Sequence, residues 1–159
     1  MPERGHDPLA DEELSWLLGI AFQVILAEFN RRLDDVGHGD LRPVHGMIFQ
    51  IAQGEGVTST ELADRLGVTK QAAGQLVTDL EKRGYVSREE HPQGGRRRLI
   101  VLTDKAIDHL NTAGPILHQL EAELAAQAGD LNLTGLRTEL ARIIRAIAGT
   151  SLPPLRPVW

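Results

Sequence analysis

The sequence predicts a mainly α-helical fold of six helices with one small β-hairpin, and three observations point that way. Of its 159 residues 42% are hydrophobic but only 4% aromatic, so the core must be built from Leu, Ile, Val and Ala, which bury most readily as stripes along helices. Apolar residues recur three and four apart along most of the chain, and only residues 85–102 alternate around a glycine-containing tip. The length is that of one compact domain with terminal extensions.

The first helix is expected from Asp11 to Leu33. Leu14, Leu17, Leu18, Ala21, Ile25 and Phe29 form one stripe and Trp16, Ile20, Val24 and Ala27 another. A helix apolar nearly all round is covered most easily by lending one face to its own core and the other to a second subunit, so a dimer is expected. Val36 to Asp40 reads as a turn, and Pro43 opens a second helix bearing Val44, Met47, Ile48 and Ile51 and reaching about Gln53. After Gly54-Glu55-Gly56, the spacing Thr58-Ser59-Thr60-Glu61 is that of a capping box and starts a short third helix. Leu62, Ala63 and Leu66 are its apolar residues, and Gly67 closes it.

Thr69 caps a fourth helix whose Ala73, Leu76, Val77 and Leu80 fall at i, i+3, i+4 and i+7, and Gly84 stops it. Tyr85 to Glu90 and Arg97 to Leu102 read as two strands joined by His91-Pro92-Gln93-Gly94-Gly95, a two-stranded ribbon. Thr103-Asp104 caps a long fifth helix with the stripe Ile107, Leu110, Leu117, Leu120 and Leu124 and an expected bend at Gly114-Pro115. Gly129-Asp130 ends it. A sixth helix, about Thr134 to Ala148, turns Leu136, Leu140, Ile143, Ile144 and Ile147 to one side. The proline-rich tail from Ser151 to Trp159 is not helical, and its Leu, Val and Trp are expected to pack on a neighbour. Three segments follow: 1–40 as a dimerisation helix, 41–105 as a lobe carrying the second to fourth helices and the ribbon, and 106–159 as a connecting helix and a second dimerisation helix, all within one compact domain.

Composition removes several function classes. Without cysteine there are no disulfides, thiolate zinc sites, iron–sulfur clusters or thiol sensors. The N-terminus lacks a basic start and an apolar core, so a cytoplasmic location is expected. The most apolar run, Trp16 to Ala27, is too short for a membrane helix. Net charge is −5, yet residues 58–105 carry nine basic against seven acidic side chains. A polyanion responds to local charge, so the middle of the chain is where a nucleic-acid surface belongs.

A short helix, a glycine-containing turn and a second amphipathic helix make a helix-turn-helix. With Ala73, Leu76, Val77 and Leu80 in the core, Lys70, Gln71, Gly74, Gln75 and Thr78 turn outward together, beside the cap Thr69. Lysine neutralises phosphate, glutamine pairs with adenine N6 and N7, a threonine methyl meets a thymine methyl, and Gly74 admits a close backbone. Arg96, Arg97 and Arg98 are the densest charge in the chain and suit a DNA backbone or minor groove. Thr58 and Ser59, at the start of the third helix, are candidate phosphate contacts.

The runs Thr58-Ser59-Thr60-Glu61-Leu62-Ala63-Asp64-Arg65-Leu66-Gly67-Val68-Thr69-Lys70 and Leu76-Val77-Thr78-Asp79-Leu80-Glu81-Lys82-Arg83-Gly84-Tyr85-Val86, followed by Arg96 and Leu102-Thr103, resemble the MarR family of bacterial transcription regulators. The resemblance covers almost the whole chain. It implies a winged helix-turn-helix in a homodimer, with the terminal helices as dimer interface and the fifth helix joining the two lobes. It further implies a repressor that binds pseudo-palindromic operators and releases them when a small ligand, often phenolic or aromatic, occupies a cleft between the lobes. The family's recognition positions fall on Lys70, Gln71, Gly74 and Gln75, and its wing arginine on Arg96. This chain departs from the family pattern at Gln75 (often Arg), Gly74 (often Ser or Thr), Gly94 (usually Asp) and Ala106 (usually Gly).

No cofactor and no catalytic residue is expected. His118 and Glu121 share a helix face without a nucleophile or phosphate loop beside them. Two alternatives use the same fold. One is a metal-responsive regulator drawing on His38 or His45 with Asp108 and His109, and the other is a winged-helix module that binds protein.

Overall fold

The computed structural model describes residues 7–154, and among them lie six helices and three short strands. They are α1 (Leu14–Asp35), α2 (Pro43–Ala52), β1 (Val57–Thr58), α3 (Ser59–Leu66), α4 (Lys70–Lys82), β2 (Val86–Glu90), β3 (Arg98–Leu102), α5 (Asp104–Gln127) and α6 (Leu133–Ala148). The chain divides into two compact units at Gly39/Asp40.

In the first unit α1 leaves Leu14, Trp16, Leu18, Phe22, Val24 and Ile25 exposed. Its C-terminal half is laced by ion pairs in which Glu28 meets Arg31 at 2.9 Å and Arg32 at 2.8 Å. Hydrogen bonds from those two guanidinium groups hold the Glu28 carboxyl down at about 2.

The second unit is built around a seam where α2, α3 and α4 meet the sheet. Ile48, Phe49, Leu62, Leu66, Leu80 and Ile100 are fully buried there, with Leu76, Val77 and Val86 packed among them. Local chemistry sets the angle between α3 and α4. Thr58 and Glu61 close a reciprocal capping box at the start of α3, with Glu61 N–H donating to Thr58 Oγ1 at 3.3 Å and Thr58 N–H donating to the Glu61 carboxylate at 2.9 Å. Gly67 ends α3 in left-handed geometry, and Thr69 starts α4 by accepting from the Ala72 amide at 3.1 Å. Gly84 ends α4, with the Tyr85 amide donating back to Leu80 O at 2.9 Å.

Tyr85 is not a strand residue, contrary to expectation. Its ring is buried against Phe49, 5.6 Å between centroids, and against His109 at 6.3 Å. The hydroxyl donates to Asp40 Oδ1 at 2.9 Å, and burial with that contact pushes it up to about 12. Arg97 likewise lies in the turn, because the paired register begins at Glu90 with Arg98.

A second correction concerns the sheet itself, which has three strands in the order β1-β3-β2, all antiparallel, rather than two. Val57 pairs with Ile100 and Thr58 with Leu99, so β3 is the central strand. This requires Gly56: its φ is +85°, and a Cβ there would stand 2.8 Å from Ile100 O and 2.9 Å from Val101 Cγ1. The fifth helix runs unbroken through Pro115. The last helix buries none of its residues and leaves Leu136, Ile143, Ile144 and Ile147 exposed. In the tail Leu152 is exposed, while the expectation for Leu155, Val158 and Trp159 lies outside the described residues, as does His6. No described helix is long and apolar enough to cross a membrane.

Gly54 has the same left-handed backbone, φ +89°, with open space where a Cβ would go. Gly56→Ala and Gly54→Ala should therefore both cost about 1–3 kcal/mol of backbone strain, with Gly56→Ala the more damaging because it also forces β1 away from β3. Urea unfolding of the two variants measures this, and equal losses would contradict the close approach.

Candidate nucleic-acid interface

The outward face of α4 follows from its inward one. Ala73, Val77 and Leu80 are fully buried and Leu76 nearly so. Lys70, Gln71 and Gln75 are exposed on the opposite side, with Gly74 and Thr78 half-buried along its margin. Gln71, Gly74, Gln75 and Thr78 line a shallow groove of about 510 Å³ together with Asp79, Lys82 and Arg88. Lys82 is one residue that sequence reading missed; it stands on the same helical stripe, at Gln71 plus eleven.

A second groove, also about 510 Å³, joins the start of α3 to the hairpin. Thr58, Ser59, Thr60 and Glu61 form one wall, and Arg88, His91, Arg96, Arg97 and Arg98 the other. The three arginines are exposed, Arg96 and Arg97 in the turn and Arg98 at the head of β3. Gly94 and Gly95 shape that turn at φ +71° and +87°. Arg98 is partly tethered, since its Nη2 donates to Arg88 O at 3.3 Å.

The two phosphate candidates differ. Thr58 commits its hydroxyl to the capping box, donating to Glu61 Oε2 at 2.7 Å, whereas Ser59 has no side-chain hydrogen bond among the described residues. Hydrogen bonds from Thr58 hold the Glu61 carboxyl below its usual range, and the charges of His91 and Arg97 add to this. A carboxylate thus stands across the groove from four arginines, Arg88, Arg96, Arg97 and Arg98.

Behind α4 a charged cluster was not legible in the sequence. Asp79 Oδ2 is buried without an aligned hydrogen bond. Around it stand Arg83 Nε at 3.0 Å, His45 Nε2 at 3.5 Å and Arg42 Nη2 at 3.9 Å. His45 is fully buried, and its Nδ1 accepts from the Arg42 amide at 3.1 Å, which leaves the proton on Nε2 facing Asp79. His109, also buried, packs edge-on to Phe49 at 5.7 Å. Among the described residues no group of three or more His, Asp or Glu is placed to hold a metal ion.

A profile of the MarR family matches residues 41–97. The HTH-type transcriptional regulator YdcH of Bacillus subtilis is 30% identical over 103 residues, covering 65% of this chain and 67% of YdcH. The chain belongs to the MarR family. Among solved MarR-like structures, the transcriptional repressor CouR of Rhodococcus jostii, bound to a 23-mer DNA duplex, superposes with a TM-score of 0.70 at 25% identity, covering 86% of this chain and 95% of CouR. A 56-residue stretch is also 39% identical to riboflavin kinase of Thermoplasma acidophilum; it is 35% of this chain, which spans only 24% of that kinase's length.

Burial lowers the His45 pKa from its ordinary 6.5, helped by the Arg42 and Arg83 charges and opposed by Asp79 and Asp40. The stability that depends on a neutral His45 is therefore complete above about 6.5 and is lost as pH falls toward the lower folded value. Urea unfolding should show the wild type weakening between about pH 7.5 and about pH 5.5 more than His45→Gln does. Parallel losses in the two proteins would show that His45 takes no part.

Proposed function

We propose that this protein is a cytoplasmic transcriptional repressor that binds a pseudo-palindromic operator as a homodimer. It acts by binding, not catalysis, and a small phenolic or aromatic ligand releases it. The observation that carries the reading is the joint presentation of Lys70, Gln71 and Gln75 on one exposed helix face beside a hairpin bearing Arg96, Arg97 and Arg98.

The roles follow from side-chain chemistry. Thr69, Lys70, Gln71, Gly74, Gln75 and Thr78 enter the major groove, where Gln71 and Gln75, one turn apart, favour A·T pairs. Arg96, Arg97 and Arg98 meet the backbone or minor groove, and Thr58 and Ser59 mark a phosphate position at the start of α3. Residues 41–105 form the DNA-binding lobe. Residues 1–40 and the last helix of 106–159 supply the dimer interface, which is supported by the exposed Trp16, Phe22 and Val24 of α1 and Ile144 and Ile147 of α6. A two-fold dimer sets its recognition helices about 34 Å apart, one turn of DNA, so a ligand that alters this spacing breaks simultaneous contact. CouR has been seen with p-coumaroyl-CoA, and an effector of that aromatic kind is proposed here.

Selection of bound duplexes from a random pool tests the reading, and it should enrich two A·T-containing half-sites one turn apart. Replacing Arg96, Arg97 and Arg98 with Ala should weaken binding to every sequence and flatten its salt dependence. Gln75→Ala should instead blur base choice by about 1–3 kcal/mol at one position of each half-site. Enrichment of G·C-rich sites alone would refute the glutamine roles, and binding insensitive to salt would point to a protein partner. Small aromatic acids are then screened for release of the enriched DNA.

A further inference from the structure

Arg88 forms part of the wall of both grooves and has no role in the reading above. Its position follows from the strand. Val86 and Arg88 share one face of β2, and in register they oppose Leu102 and Ile100, so the Arg88 stem leaves the sheet on the side that carries the core. Val86 is buried there, whereas Arg88, on the edge strand beside the buried Ile100, is long enough to reach past the core, and its guanidinium emerges half-buried beneath α4. One terminal nitrogen, Nη1, pairs with the Glu81 carboxylate. The other, Nη2, donates to Thr78 Oγ1 at 3.2 Å. A single fork thus spans Thr78 and Glu81, one turn apart on α4, while the main-chain oxygen of the same residue receives Arg98 from β3.

We infer that Arg88 is a positioning residue that locks the arginine-bearing hairpin to the recognition helix, so that the two grooves meet DNA as one rigid surface. The inference rests on the DNA-binding reading above. The planar guanidinium is what makes the bridge possible, because a lysine ammonium cannot hold two acceptors in a fixed fork. With its charge engaged by Glu81, Arg88 acts through the placement of Arg96, Arg97 and Arg98 and not as a phosphate contact. Without the bridge, the hairpin is held to the body of the protein at its base, where β1 pairs with β3 at Leu99 and Ile100.

The decisive variant is Glu81→Gln, which keeps the shape of a half-exposed side chain and removes one negative charge beside the DNA surface. Coulomb attraction alone predicts tighter binding. The positioning role predicts the opposite, about tenfold weaker binding to the enriched operator. Arg88→Lys should behave like Glu81→Gln although it keeps its charge. In hydroxyl-radical footprints of both variants, protection by the hairpin should be lost while protection by the recognition helix remains. In the absence of DNA, amide exchange across residues 91–97 should speed up while exchange in α4 is unchanged. Equal or tighter binding by Glu81→Gln, uniform weakening of the footprint, or unaltered hairpin exchange would each overturn the inference. Wild-type protein that enriched no duplex at all would instead sink the DNA-binding reading, and the exchange measurement would still decide whether the bridge holds the hairpin.

Discussion

The structure depends on one seam, the burial of Ala73, Leu76, Val77 and Leu80 of α4 against α2, α3 and the sheet. A 13-residue helix is barely stable by itself in water, so this packing is what makes it persist. Each large aliphatic side chain in the seam contributes about 1.5–3 kcal/mol. Orientation comes with the stability, since a helix that buries these four positions has no choice about what it exposes. The glycine and threonine between α3 and α4 add the crossing angle, and the polar face is presented without further machinery.

Charge is arranged with less economy than the basic hairpin suggests. Glu61 stands in the groove walled by the hairpin arginines, where it closes a helix cap, and Glu81 pairs with Arg88, which lines both grooves. Each diminishes the attraction for a polyanion while fixing the shape that meets it. Sequence-specific recognition favours that exchange, since undirected attraction strengthens every duplex equally and geometry is what distinguishes them. The net charge of −5 works in the same direction, leaving the local surface of residues 58–105 as the feature a polyanion meets.

Helices were legible because their apolar residues repeat at helical spacing and their ends carry recognisable chemistry: Thr58 with Glu61, Gly67, Thr69 and Gly84. The outward set on α4 was legible for the same reason. What escaped was created by contacts between distant residues. Val57-Thr58 is too short for an alternation pattern, and its partner strand lies more than forty residues on. The cluster of Arg42, His45, Asp79 and Arg83 forms only once α2 is laid behind α4. Arg88 offered a partial signal, since period-two alternation puts it on the same face as Val86, but nothing in the sequence says that α4 passes overhead. Tyr85 was misplaced because an aromatic residue beside a strand reads as strand, while a buried ring cluster and the Asp40 carboxylate hold it outside the ladder.

The short first strand has a mechanical meaning. Because β1 covers β3 only at Leu99 and Ile100, the base of the hairpin is clamped along both edges while Arg98 and everything beyond it project as a cantilever. Past that root the fork of Arg88 on Thr78 and Glu81 is a second point of support, so the three guanidinium groups are carried on a projection braced at two places.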